Sequence, residues 1–367
     1  MNPLVQLSRL GQSVWLDFIT RDLLRSGELS RLIVEDGLRG MTTNPTIFEK
    51  AIAGSTLYDG EIRRLAAAGN NPGRVVEALA VADVRTACDA FRPLYETTEG
   101  RDGFVSIEVS PELAFDTEGT VVDGRRLWQA VDRPNLMVKI PGTKEGLPAI
   151  ERCLSEGINV NVTLLFALER YAEVREAYLA ALESRVSRGL PVDRLASVAS
   201  FFVSRVDGRL DKELLKRGTE GKALVGTIAI ANAQVAYADF TKTFFGDRWE
   251  ALAKHGARVQ RPLWASTSTK DPNLSDVLYV EALIAPDTVN TVPPETLAAY
   301  RDHGEPKVRI AQAVPTARDR LKKLAATGID LAKETAALEK EGVEKFAASW
   351  AALLKVVESK AVALSQT

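Results

Sequence analysis

The chain is poor in the residues that most often carry redox and metal chemistry. It has two cysteines, Cys88 and Cys153, and neither has a Cys or His neighbour at metal-ligand spacing. A disulfide framework and a structural zinc site are therefore excluded as organising features, and a reducing compartment is expected. Its two histidines, His255 and His303, each precede a glycine, which reads as a helix C-terminus where a cationic side chain is favourable. A Ser-His-Asp triad has almost nothing to draw on. An excess of one charge is also missing. The 47 basic and 49 acidic residues leave a net charge of −2, which gives no reason to expect a nucleic acid or a membrane surface as partner. No stretch approaches the roughly 18 uncharged apolar residues of a membrane span, and Met1 to Leu10 carries no apolar signal core, so a cytoplasmic protein is expected. GxGxxG, Walker, HExxH and CxxC patterns are lacking as well. Any chemistry is expected to come from Lys, Asp, Glu, Ser, Asn or Arg, with no metal and no cofactor.

What is present is ordinary globular material in an ordered alternation. With 367 residues, 46% of them hydrophobic, the chain can bury a sizeable core in one large domain or two smaller ones. Eight short strands are predicted near 13–18, 38–43, 103–109, 135–140, 158–163, 195–203, 259–266 and 287–291. Helical stretches lie between them, for example 21–36, 74–97, 145–156, 166–187, 207–216, 221–244 and 275–284. Strand–helix alternation means a parallel sheet with right-handed crossovers, and eight units point to a closed (β/α)8 barrel, a TIM barrel. The remainder is a helical insertion after strand two, about 45–100, and a helical tail, 305–367. We read residues 1–367 as one barrel domain with both additions packed on it. In the tail, Phe346, Trp350, Leu353, Val357, Ala361 and Leu364 form one face with a period near 3.6, as in a helix docked on the barrel. A partner-binding helix is the alternative.

The alternation within the strands locates the interior. Val105, Ile107 and Val109 oppose Phe104, Ser106 and Glu108; Leu136, Val138 and Ile140 oppose Met137 and Lys139; Ile158, Val160 and Val162 oppose Asn159, Asn161 and Thr163; Val14, Leu16 and Phe18 oppose Trp15 and Asp17. Each strand therefore has one apolar and one mixed face. The outer face of a parallel barrel meets helices and must be apolar, so the mixed face lines the interior. Asp17, Asn44, Glu108, Lys139, Asn161, Thr163, Ser200 and Ser266 gather toward the C-terminal strand ends, where barrel enzymes build their sites. A two-layer sheet with its polar face in water would show ordinary surface mixtures there instead.

One lysine among carboxylates and neutral hydrogen-bonding groups suggests a specific chemistry. A lysine drawn into a barrel loses solvation, which disfavours the ammonium form. The neutral amine is a nucleophile that forms a Schiff base with a ketone. The protonated imine then accepts electrons from an adjacent carbon–carbon bond. Asp17 and Glu108 suit proton transfer to and from hydroxyls and water, and two acids near one lysine favour that reading over an inert ion pair with Lys139. Asn44, Asn161, Thr163 and Ser200 match a polyhydroxylated substrate. Arg205 binds phosphate only if a second cation reaches the same pocket.

Four segments carry a family resemblance. Gly40-Met-Thr-Thr-Asn-Pro-Thr-Ile-Phe48, Asn135 to Gly146, Ile158-Asn-Val-Asn-Val-Thr-Leu-Leu-Phe166 and Val198-Ala-Ser-Phe-Phe-Val-Ser-Arg205 resemble, in this order, the signatures of the transaldolase family, over about residues 10 to 300. The long insertions resemble its longer bacterial form. The resemblance implies transfer of a dihydroxyacetone unit from sedoheptulose 7-phosphate to glyceraldehyde 3-phosphate, giving erythrose 4-phosphate and fructose 6-phosphate in the pentose phosphate pathway. It implies that Lys139 forms the Schiff base, that Asp17 is the base for the carbon-4 hydroxyl, and that Glu108 and Thr163 position the catalytic water. It further implies that Asn44, Asn161 and Ser200 hold the dihydroxyacetone hydroxyls, that Arg205 binds phosphate and that Phe202 walls the pocket. Sugar phosphates are the expected partners of a monomer or homodimer. Shorter family members place a second phosphate-binding Arg two residues after the serine that corresponds to Ser266. Here that slot is Ser268 and the nearest cation is Lys270, a candidate that reads equally well as a solvated loop charge. A Schiff-base aldolase and a catalytically silent barrel used as an interaction module are the alternatives.

Overall fold

The computed structural model describes residues 2–366. The two terminal residues of the single domain expected over 1–367 lie outside the described residues. Eight parallel strands close into a barrel in chain order: β1 (Gln12–Asp17), β2 (Gly40–Thr42), β3 (Phe104–Glu108), β4 (Leu136–Pro141), β5 (Val160–Leu165), β6 (Ser197–Phe202), β7 (Arg261–Ala265) and β8 (Thr288–Val292). All eight predicted strands are present, trimmed by one or two residues at most ends. β1 pairs with β8 through Val14↔Asn290 and its neighbours, which completes the ring.

The inverted face pattern has the meaning its period requires. Trp15, Phe104 and Met137 fill the middle of the interior, with the Trp15 and Phe104 rings 6.4 Å apart. Gly40 pairs in register with Trp15 on one side and with Phe104 on the other. A Cβ there would come within 2.6 Å of the Trp15 ring and 2.7 Å of the Phe104 carbonyl oxygen, so the tryptophan fits only because the opposing residue has no side chain. The outward faces, such as Leu136, Val138 and Ile140, are buried under the surrounding helices.

Three predicted helices are broken by glycine. The stretch 21–36 forms two helices, Arg21–Arg25 and Glu28–Glu35, with Gly27 between them at φ +85°. The stretch 221–244 divides at Gly226, φ +68°, into Gly218–Lys222 and Ile228–Phe244. The tail divides at Gly328, φ +82°, into Ile310–Ala326 and Leu331–Ser365. Left-handed backbone stops a helix, and glycine adopts it without steric cost.

The last helix, Leu331–Ser365, does not join the outer ring. It runs across the C-terminal mouth of the barrel and lies against the helices inserted between β2 and β3: Pro45–Ala53, Asp59–Ala67 and Pro72–Thr97. Thr46 Oγ1 and Ser349 Oγ are 2.7 Å apart, and Lys360 Nζ donates to Asp59 Oδ1 at 2.7 Å. Phe346, Leu353 and Val357 of the expected apolar face are buried in this seat. Burial of such side chains is worth roughly 1.5–3 kcal/mol each, so this helix is a fixed roof over the mouth.

Candidate active site

Lys139 is the one buried lysine among the described residues. It occupies the interior face of β4, level with Glu108 on β3 and Asn161 on β5. Its Nζ donates to the Thr43 carbonyl oxygen at 3.1 Å and stands 3.5 Å from Glu108 Oε2. The Phe346 ring of the roof helix closes over it, 5.6 Å from Nζ to the ring centroid. Lys139 thus has one firm hydrogen bond, a loose ion pair and an aromatic ceiling. It keeps capacity for a new bond that a fully paired structural lysine lacks.

The two acids differ in their support. Burial pushes the Glu108 carboxyl up to about 7, against the pull of the nearby Lys139. Neither of its oxygens has a hydrogen-bond partner of normal length among the described residues. Glu108 borders a small side cavity of about 50 Å³ with Thr43 and Asn44, large enough for a water molecule. Asp17 ends β1 and accepts from Thr42 Oγ1 at 2.6 Å, and Thr42 is itself 2.7 Å from Thr291 Oγ1. Burial raises the Asp17 carboxyl, while Lys139, Thr42 and Arg205 draw it down. Thr42 and Thr291 carry no sequence signal, because threonine is an ordinary strand residue.

Above Lys139 opens a cavity of about 380 Å³ that brings together Asp17, Asn44, Lys139, Thr163, Ser200, Phe202, Arg205, Ser266 and Lys270. Nine of the eleven residues singled out from the sequence therefore face one space. Glu108 lies behind Lys139. Asn161 stands behind Ser200: its Oδ1 accepts from Ser200 Oγ at 2.7 Å and its Nδ2 donates to Ser106 Oγ at 3.0 Å. Asn44 caps the helix Pro45–Ala53 by accepting from the Ile47 amide at 3.0 Å. The Thr163 hydroxyl is buried without a partner. Arg205 opens the helix Ser204–Leu214 and lies 4.9 Å above the Phe202 ring centroid. Leu164, φ +61°, and Ser266, φ +56°, are non-glycine residues in left-handed backbone at this rim, and the β5–β6 register shifts at the first of them. Bulges of this kind re-aim side chains beside active sites.

Residues 14–357 match the family model described as Transaldolase/Fructose-6-phosphate aldolase. The chain belongs to this family. It is 52% identical over 357 residues to a transaldolase of Acidothermus cellulolyticus, covering 97% of this chain and 96% of that one. It is 51% identical over 364 residues to a transaldolase of Thermobifida fusca, covering 99% of each. A protein of Nostoc sp. called transaldolase 2 is 46% identical over 377 residues, covering 100% of this chain and 99% of its own. Among the described residues no three His, Cys, Asp or Glu side chains converge as a metal site would require, and no helix is long and apolar enough to cross a membrane.

Lys345 and Glu295 also border the family cavity, and neither is legible as a site residue in the sequence. Phe346 is legible only as part of an apolar helix face. The residues of the last helix lie far along the chain from every barrel motif, and no local pattern links them to the site.

Proposed function

We propose that the chain catalyses the transaldolase reaction, moving the dihydroxyacetone unit of sedoheptulose 7-phosphate to glyceraldehyde 3-phosphate as part of the cytoplasmic pentose phosphate pathway. The observation that carries this reading is a buried lysine with spare bonding capacity, between a carboxyl held near neutrality and a polar cavity with a cationic rim. The Lys139 amine adds to the ketose carbonyl at carbon 2. Glu108 takes the proton that the Lys139 nitrogen gives up and passes it to the departing hydroxyl, which leaves as water, and a protonated imine remains. Asp17 takes the proton of the carbon-4 hydroxyl. The electrons of the C3–C4 bond flow into the imine, erythrose 4-phosphate departs, and an enamine stays on Lys139. The enamine attacks the aldehyde carbon of glyceraldehyde 3-phosphate, whose oxygen recovers the proton from Asp17. Water, deprotonated by Glu108 and held with Thr163, then hydrolyses the imine to free fructose 6-phosphate. Ser200, oriented by Asn161, and Asn44 hold the hydroxyls of the three-carbon unit, Ser266 lines the acceptor side, Phe202 walls it, and Arg205 with Lys270 holds phosphate.

The deciding assay supplies fructose 6-phosphate with and without erythrose 4-phosphate. Sedoheptulose 7-phosphate should form only when the acceptor is present, and release of free dihydroxyacetone should be slow. Release of dihydroxyacetone at an equal rate without acceptor would make the chain an aldolase. No turnover of either kind would leave a silent barrel.

A further inference from the structure

The rim of the cavity carries more positive charge than the barrel motifs account for. Lys139, Arg205, Lys270 and Lys345 border it, against the carboxylates Asp17 and Glu295. Lys139 is already offset by Glu108. The side chains of Arg205, Lys270 and Lys345 make no ion pair or hydrogen bond among the described residues. Most arginines of the chain pair with a carboxylate, including Arg209 and Arg170, which tie the roof helix to the barrel. Unpaired cations around one cavity call for an anion.

We propose that Lys345, from the roof helix, is a phosphate-binding residue that completes the anion seat of Arg205 and Lys270, so that the C-terminal helix forms part of the substrate site. This rests on the sugar-phosphate reading of the cavity and adds a residue that the barrel strands do not supply.

Three observations support it. First, the position is fixed. Gly342, one turn earlier, packs so closely on the β5 bulge that a Cβ there would come within 2.8 Å of Leu164 Cδ2. Phe346, the next residue, is buried above Lys139, and Ser349, one turn later, is hydrogen-bonded to Thr46. Second, the partners that a helical lysine would ordinarily use are occupied or absent. Glu341, at i−4, is bound by Arg209 at 2.7 Å, and position 349, at i+4, is a serine. Third, Lys345 lies in a positive field. Arg205 first, then burial, Lys270 and Lys50, hold its ammonium below the usual lysine range. A phosphate bound between Arg205 and Lys345 relieves that repulsion, and the rigid helix means that no reordering is needed to bind it. Ser268, which also borders the cavity, carries no charge to add.

The test compares wild type with Lys345→Met and Lys345→Arg. Two quantities are read: the inhibition constant of inorganic phosphate, and the ratio of kcat/KM for fructose 6-phosphate to that for unphosphorylated fructose. Loss of one charge-assisted phosphate contact should weaken phosphate inhibition and lower the ratio by roughly tenfold each in Lys345→Met, and Lys345→Arg should restore both. Inorganic phosphate binding is also measured directly by calorimetry. If the enzyme turns over neither sugar, the functional reading fails, while weakened phosphate binding in Lys345→Met still upholds the seat. Wild-type phosphate affinity in Lys345→Met overturns the proposal, whatever the catalysis. So does a loss that Lys345→Arg does not restore, because that would mark a packing defect.

Discussion

The barrel encloses two buried cations at opposite ends, and they are held in contrasting ways. At the lower end, Arg261 of β7 donates to Ser13 Oγ at 2.8 Å, to the Arg101 carbonyl at 2.7 Å and to Asp102 Oδ1 at 3.2 Å, while Ser13 donates to the same carboxylate at 2.7 Å. At the upper end, Lys139 has one carbonyl contact and a carboxyl at 3.5 Å whose oxygens are otherwise bare. The lower cation makes three hydrogen bonds, one of them to a carboxylate, and so is compensated as a structural charge must be when it is removed from water. The upper cation is left partly unsatisfied beside a neutral-leaning acid and an open cavity. Burial of charge alone therefore does not mark a site. What distinguishes the reactive end is burial together with bonding capacity held in reserve.

Substitution of the two cations should separate them most sharply. Lys139→Met should lower turnover by roughly 10⁴-fold or more, since no other nucleophile reaches the ketone, yet shift the melting temperature by only a few degrees. Glu108, already near neutrality, can stay protonated when its partner is gone. Arg261→Met should do the reverse: about 3–5 kcal/mol of stability lost in denaturant titration, because Asp102 is left buried and uncompensated, with turnover per folded molecule retained. Similar stability losses in both variants would erase the distinction between the two ends.

Much of this contrast was readable in advance because the strand period is 2. The same alternation that put Val138 outside put Lys139 inside, and Asp17, Thr163 and Ser200 followed at matching depth. The sequence does not reveal where the last helix lies. Its apolar face is clear, but amphipathicity does not say whether the complementary surface is the barrel's outer ring or the inserted helices. Nothing in the sequence therefore separates Lys345 from any other charge on that helix. Helix breaks at Gly27, Gly226 and Gly328 were missed for a related reason: a helical period continues through a glycine, and only the tertiary path decides whether that glycine turns left-handed. Asn161 was placed on the cavity wall because its strand face is right, and its position behind Ser200 depends on the tilt of the barrel.

A smaller effect tests the state of the upper acid. With its carboxyl held at about 7, Glu108 is mostly protonated below that pH and cannot accept a proton from the attacking amine or water. The kcat/KM profile should therefore fall on the acid side with an inflection near pH 7, and Glu108→Gln should flatten that limb while lowering the plateau by roughly 10²-fold. An acid limb that persists in Glu108→Gln would assign it to another group.

The smallest expected effect on activity separates a raised carboxyl from a reactive one. Asp207 is buried on the helix Ser204–Leu214 and pushed by desolvation to about 7, but it faces the Ala229 amide at 2.7 Å and the Tyr279 hydroxyl at 3.0 Å, with no cation. A carboxyl raised in the folded state contributes stability that is complete below its ordinary value of 3.8 and is lost as pH rises through about 7. Asp207→Asn, which mimics the protonated form, should gain on wild type by roughly 4 kcal/mol between pH 4 and 8 in denaturant titration, with the shape of the kcat/KM profile unaltered. A flat stability difference would show that this burial carries no proton linkage.

Covalent trapping shows whether the partly satisfied lysine of the upper barrel carries the reaction. Borohydride added with fructose 6-phosphate should reduce the imine in place, and peptide mapping by mass spectrometry should find a three-carbon adduct on the peptide that contains Lys139. That adduct should be absent in Lys139→Met. An adduct on another lysine, such as Lys144 or Lys345, or no adduct on an enzyme that still turns over, would take the reaction away from Lys139.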